Sequence, residues 1–143
     1  MVDYLNITLE DGPLRGVSAL GLAYVGDAVY ELMVRAWICS QGKSKVKKMH
    51  GEAVSFVSAA AQAGAAEVIA PLLNEEELSV FRRGRNAHTN SVPRGSTQGE
   101  YHLATALETL FGFLYLKGEH GRLNELFEVV ISTREDCAGE PCR

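Results

Sequence analysis

Two carboxylates sit where carboxylates are unfavourable. Asp27 lies in "LAYVGDAVYELMVRAW", residues 22–37, among Val25, Val29 and Leu32. Glu108 lies in "GEYHLATALETLFGFLYLK", residues 99–117, among Leu103, Ala106, Leu107, Leu110, Phe111, Leu114 and Tyr115. Both stretches read as apolar helices, and a charge buried there without a partner is strongly disfavoured. Each acid has a glycine close by, Gly26 just before Asp27 and Gly112 shortly after Glu108. A helix-interior glycine costs about 1 kcal/mol relative to alanine. One arrangement accounts for both oddities: the glycines let two helices approach closely, and the acids converge on something that neutralises them. A hard divalent cation, Mg²⁺ above all, takes one or two carboxylates together with phosphate oxygens. Glu31 follows Asp27 at i+4 on the same helix face, placed to support such a site from outside its ligand shell. The alternative is structural salt bridges from Asp27 and Glu108 to Arg35, Arg83 or Arg85, and spacing alone leaves both open.

Other chemistries have little support. The phosphate-loop pattern GxxxxGK[ST] is absent. His50, His88, His102 and His120 are scattered without metal-ligand spacing, and His102 reads as a surface or ligand-facing residue. No serine has a recognisable elbow or base partner. Cys39, Cys137 and Cys142 are irregularly spaced and read as free thiols. Trp37, Tyr24, Tyr30 and Tyr115 follow helical spacing, as core or interface residues do.

The elements that must position the two acids are helices. Leu22, Val25, Val29, Leu32, Met33, Ala36 and Trp37 recur at three- and four-residue steps through residues 17–40. A second helix is expected over 46–63. A short one in "AAEVIAPLL" ends or breaks at Pro71. "NEEELSVFRRG" starts with an Asn74 N-cap, sets its glutamates and arginines to suit the helix dipole, and stops at Gly84. Residues 84–98, including Pro93, read as a loop, 99–117 as a strong helix and 121–133 as a last one, with a frayed tail after Arg134. With no strand or repeat, the fold class is all-α, in one domain.

The 143 residues, 46% hydrophobic and 22% charged, suit a single domain with a real core. No apolar run approaches the ~20 residues of a membrane span, and the opening "MVDYLNITLEDG" is not a signal peptide, so a cytoplasmic location without membrane is expected. The net charge of −4 speaks weakly against nucleic acid. Its distribution speaks the other way. "QGKSKVKKMHG", residues 41–51, holds four lysines and no acid, and "LSVFRRGRNAHTNSVPRGSTQG", residues 78–99, holds four arginines and no acid. Such local basic surface binds phosphate even on an acidic chain.

These residues resemble a known family. "YVGDAVYE" at 24–31 resembles the signature helix of ribonuclease III, and "ALETLFGFLYL" at 106–116 resembles that family's second metal-binding helix. The intervening "VSAAAQAG", "LNEEELSVFRRGRNAHTNSVP" and "YHLATALE" are closest to the Mini-III subfamily of bacterial ribonucleases. The likeness runs from about residue 17 to 132. It implies an N-terminal segment at 1–16, a ribonuclease III-like catalytic domain at 17–133, and a tail at 134–143 too short for the double-stranded-RNA-binding domain of the larger enzymes. Where those enzymes carry two further acids, this chain has Ala23 and Thr105, a reduction that Mini-III enzymes share. Where Mini-III sequences tend to have a lysine, it has Ala60.

The resemblance implies a homodimeric endoribonuclease that cuts double-stranded RNA and leaves 5′-phosphate and 3′-hydroxyl ends. Asp27 and Glu108 are its metal ligands, Glu31 stands outside them, and the cofactor is Mg²⁺, with Mn²⁺ as a substitute. Arg82, Arg83, Arg85 and Asn86, with Lys45, Lys47 and Lys48, are the expected RNA contacts. Duplex RNA is recognised through phosphates, 2′-hydroxyls and shape, so contacts of this kind suffice. The implied substrate is the 23S ribosomal RNA precursor, trimmed at both ends, with a ribosomal protein or the assembling large subunit as a further partner. The alternative is a non-catalytic double-stranded-RNA-binding dimer that lost activity with its missing acids.

Overall fold

In the computed structural model of the chain, residues 1–42, 45–87 and 96–139 are described; Lys43, His88, Pro93, Arg94 and Cys142 lie outside them. The described residues form helices α1 (Asp11–Arg15), α2 (Ala19–Ser40), α3 (Val46–Val57), α4 (Ala59–Ile69), α5 (Glu75–Arg85), α6 (Gln98–Lys117) and α7 (His120–Gly139), with a 3₁₀ turn at Ala70–Leu72 and no strand. No single helix among them is long and apolar enough to cross a membrane.

α6 is the centre. It packs most extensively on α2, then on α5 and α4, with α7 and α1 completing its surroundings. From Ala104 to Leu116 only Glu108 and Tyr115 are not buried. Thr97 caps its start, accepting from the Glu100 amide while the Glu100 side chain accepts from the Thr97 amide. Gly118, at φ +84°, closes its end. The core around α6 holds Leu22, Tyr30, Ile38, Ile69, Leu107, Leu110, Phe111 and Leu126. The Tyr30 ring meets Phe111 and Phe127 edge-on, with centroids 5.3 and 5.9 Å apart.

Several expected elements differ. The helix expected over 46–63 breaks at Ser58, whose extended backbone (ψ 154°) ends α3 and whose hydroxyl caps α4 by accepting from Ala61 N. The two segments bend by 54°. On α2 the expected stripe packs on the core through Leu22, Val25, Val29, Met33 and Trp37, the fully buried face adds Ala23, Gly26, Tyr30, Val34 and Ile38, and of the stripe only Ala36 and Leu32, 63% exposed, face away. That helix is apolar nearly all round, so periodicity alone selected the face only in part. Gly84 does not stop α5, which runs on to Arg85. Gly84 is instead a contact, where a Cβ would meet Thr109 Oγ1 at 2.4 Å. The tail expected to fray after Arg134 continues α7 to Gly139, because no helix breaker precedes that glycine.

The start of α5 agrees with its sequence. Asn74 accepts from Glu77 N at 2.8 Å, and Glu77 accepts from Asn74 N at 3.0 Å. Glu77 is buried and also takes two hydrogen bonds from Arg122 of α7, at 2.8 and 2.9 Å. Burial alone would raise its pKa; the bonds from Arg122 and the Asn74 amide hold it below the usual value.

Candidate active site

α2 crosses α6 at two glycines. A Cβ on Gly26 would lie 1.6 Å from the Glu108 carbonyl oxygen and 2.6 Å from Gly112 N; one on Gly112 would lie 1.9 Å from the Leu22 carbonyl oxygen. Backbone meets backbone here, and only glycine leaves the room. The crossing sets Asp27 and Glu108 on one open cleft of ≈ 500 Å³, walled by Leu20, Ala23, Tyr24, Gln62, Tyr101 and Thr105 among others.

The cleft works against both charges. Asp27 stands at its exposed rim, and partial burial of the carboxyl, followed by repulsion from Glu31, raises its pKa. Glu108 is half-buried, and its pKa is pushed up to about 8, first by burial and then by repulsion from Asp27, against a hydrogen bond from Gln62. No cation figures among the groups that shift either acid. Of the arginines weighed as salt-bridge partners, Arg35 holds Glu31 at 2.7 Å, Arg83 Nη2 donates to the Val17 carbonyl at 3.4 Å, and Arg85 is exposed and does not figure among the groups that shift either acid. Among the described residues, then, two carboxylates face one space with no positive partner.

That arrangement fits a hard divalent cation. The donors are oxygens, both acids are unpaired, and their mutual repulsion is what a cation would relieve. Among the described residues no cluster of three or more His, Cys, Asp or Glu could hold a metal. Two carboxylates plus water and phosphate oxygens is a set that Mg²⁺ accepts. Ala23 and Thr105, where larger enzymes would carry acids, both line the cleft. Ala23 offers a methyl, and the Thr105 hydroxyl is spent on the Tyr101 carbonyl at 2.9 Å. Glu31, expected outside the ligand shell, is near enough to act on Asp27 but is bound to Arg35.

The basic residues lie on either side. Lys45, Lys47 and Lys48 are exposed at the start of α3, whose other end, Val57, lines the cleft. Ten residues of helix put Lys47 about 15 Å from Val57. Arg82, Arg83 and Arg85 are exposed at the end of α5, and exposed Asn86 is its C-cap. Gly84 in their midst seats this end on Thr109, the neighbour of Glu108. Ala60 is exposed, so a lysine there would have had solvent around it. His102 is half-buried, its ring 5.9 Å from that of Tyr101, and not the surface residue its position in sequence indicated. The cleft residues that escaped sequence reasoning include Gln62, Tyr24 (83% exposed) and Tyr101. Only Gln62 left a signal, as the lone polar residue in "AAAQAGAA".

Known proteins match this chain along most of its length. The model of the ribonuclease III domain matches residues 20–119. A Mini-ribonuclease 3 of Clostridium tetani is 42% identical over 124 residues, covering 86% of this chain and 82% of the relative. Those of a Thermoanaerobacter species (42% identity, 92% of each chain) and of Kosmotoga olearia (38% identity, 96% of each) match likewise. The crystal structure of a Fusobacterium nucleatum protein superposes with a TM-score of 0.77 at 30% identity, covering 82% of this chain and 96% of that one.

Proposed function

Because this chain belongs to the Mini-ribonuclease 3 branch of the ribonuclease III family, and is therefore an endoribonuclease, we propose that it cuts double-stranded RNA with Mg²⁺ held between Asp27 and Glu108. The observation that carries this reading is the pair of carboxylates on one cleft with no cation among their neighbours.

When bound, the cation supplies Lewis acidity, lowering the pKa of a coordinated water and offsetting charge on the scissile phosphate. The chain's own residues do the rest. Glu108 on α6 and Asp27 on the facing α2 would hold the cation through their carboxylates. Arg82, Arg83, Arg85 and Asn86 on one side, and Lys45, Lys47 and Lys48 on the other, hold phosphates of the duplex. Hydrolysis leaves a 5′-phosphate and a 3′-hydroxyl. Mn²⁺ substitutes for Mg²⁺, since it shares the preference for oxygen.

The active form is a homodimer. Leu20, Tyr24, Ala28 and Leu32 lie at four-residue steps along α2 and are all exposed, an apolar stripe that supports coverage by a second copy. Leu20 and Tyr24 also line the cleft, so the two copies would bring their clefts to a shared groove. The substrate is the 23S ribosomal RNA precursor, which the resemblance to the Mini-III subfamily implies, with a ribosomal protein or the assembling large subunit as the further partner.

The test is cleavage of an end-labelled RNA duplex in Mg²⁺ by the wild type beside Asp27→Asn and Glu108→Gln. The wild type should cut, and both variants should bind the duplex without cutting. Variants that cut like the wild type would remove both carboxylates from the mechanism.

A further inference from the structure

Gln62 is 2% exposed, on the first turn of α4, where its neighbours on the buried face are Ala63, Ala65, Ala66 and Ile69. Glutamine is mostly a surface residue, and burying an amide is unfavourable unless it is hydrogen-bonded. An apolar side chain of the same size would fill this space without that cost. Gln62 lines the same cleft as Glu108, and its side chain is the one hydrogen-bonding group, among the described residues, that acts on the Glu108 carboxylate. What directs it there is the bend at Ser58: α4 starts afresh at its own cap, with Gln62 N bonded back to the Ser58 carbonyl at 2.9 Å, and the new axis turns Gln62 onto α6.

We propose that Gln62 is a positioning residue for the metal-holding carboxylate, its side-chain N–H fixing one oxygen of Glu108 so that the other is left for the cation. The inference rests on the reading of Glu108 as a ligand. The residue type matters. An arginine or lysine here would neutralise Glu108 and compete with the cation, and a further acid would add repulsion to a pair that already repels. A neutral donor orients the carboxylate and leaves its charge intact. Ligating carboxylates held by such outer hydrogen bonds bind metal more tightly, because their rotamer is set beforehand.

The experiment uses the 143-residue chain without RNA, titrated with Mn²⁺ by electron paramagnetic resonance. Gln62→Leu and Gln62→Met, both close in size, stand beside the wild type and Glu108→Gln. Each Gln62 variant should weaken Mn²⁺ binding about 10-fold. In duplex cleavage it should lower kcat at limiting metal, leave KM for RNA unchanged, and recover at high metal. In the wild type, which needs no variant to fold, the side-chain amide resonances of Gln62 should shift as Mg²⁺ is added and saturate with it. Wild-type Mn²⁺ affinity in the Gln62 variants, or an amide signal that ignores Mg²⁺, overturns the proposal while Glu108→Gln still abolishes binding. Wild-type affinity in Glu108→Gln instead removes Glu108 as a ligand, and the proposal goes with it.

Discussion

Replacing Gly26 by alanine adds one methyl group at the tightest point of the molecule. Its Cβ would stand 1.6 Å from the Glu108 carbonyl oxygen, and Cβ contacts under 3.0 Å essentially never occur. The atoms it meets are backbone, so no side chain can swing aside. α2 and α6 must separate by at least about 1.4 Å to accept it. The gain in helix propensity, about 1 kcal/mol, works in the opposite direction. Overpacking a buried seam costs about 1–3 kcal/mol and more when backbone must move, so the expected net loss is about 3 kcal/mol. For a chain of this size that lowers the melting temperature by about 10 °C. Cleavage should fall further than stability does. Asp27 adjoins the added methyl and Glu108 carries the struck carbonyl, so the helices carry the acids apart, and a displacement of about 1 Å costs roughly 100-fold. The assay is thermal unfolding followed by circular dichroism, with duplex cleavage measured at a temperature where both proteins are folded. Gly64→Ala is the control: it is the same change in a helix interior, with nothing within 4 Å of the new Cβ. It should stabilise by about 0.5–1 kcal/mol and leave cleavage alone. A Gly26→Ala protein that melts and cuts like the wild type would refute the close crossing.

Other outcomes follow from single groups. Burial holds the folded pKa of Glu108 at about 8, well above the ordinary glutamate value it has in the unfolded chain, so the stability tied to its proton is complete at acid pH and is lost as pH rises through 8. Metal-free Glu108→Gln should therefore lack this decline and exceed the wild type at pH 8.5 by about 2 kcal/mol, screening at the open cleft allowed for, as read in urea titrations across pH. Arg122→Met strands buried Glu77 and should cost about 3 kcal/mol at pH 7. The deficit should narrow towards pH 5 as Glu77 takes up a proton; an unchanged melting temperature would count against that pair. Arg83→Ala and Arg85→Ala should each weaken duplex binding evenly across sequences and reduce the salt slope by about 1, measured by filter binding over a salt series.

Local signals were legible in the sequence and contacts at a distance were not. Asn74, the glutamates and the arginines specify α5 within its own length, and α5 starts where they indicate. The two acids announced themselves because each interrupts an apolar run, and the glycines beside them pointed to a close crossing. Ser58 is a good N-cap residue, but the alanines after it and the apolar residues before it hid the break, and the bend there turns α4 onto α6. The buried side of α2 was legible only in part, with Leu32 and Ala36 facing away, because almost every face of that helix is apolar and Gly26 sets which one meets α6. Gly84 was read as a stop because a glycine that ends a helix and one that admits a neighbour look alike until Thr109 is in place. Gln62 has no motif around it, and its meaning comes entirely from the carboxylate opposite.

The enclosure of α6 has a consequence for how the molecule moves. Local opening starts where few neighbours hold the backbone. The amides of Leu107 to Leu114 lie in the helix buried on nearly every side. Their hydrogen exchange should wait for the whole domain to unfold, and Glu108 sits within that slowest unit. The backbone that carries Glu108 is then as durable as the fold itself and cannot be loosened piecemeal. Whatever yielding a duplex of irregular shape demands must come from the margins, at the start of α3 and the end of α5, where the lysines and arginines stand in solvent. The chemistry has a fixed floor, and accommodation happens at its edges.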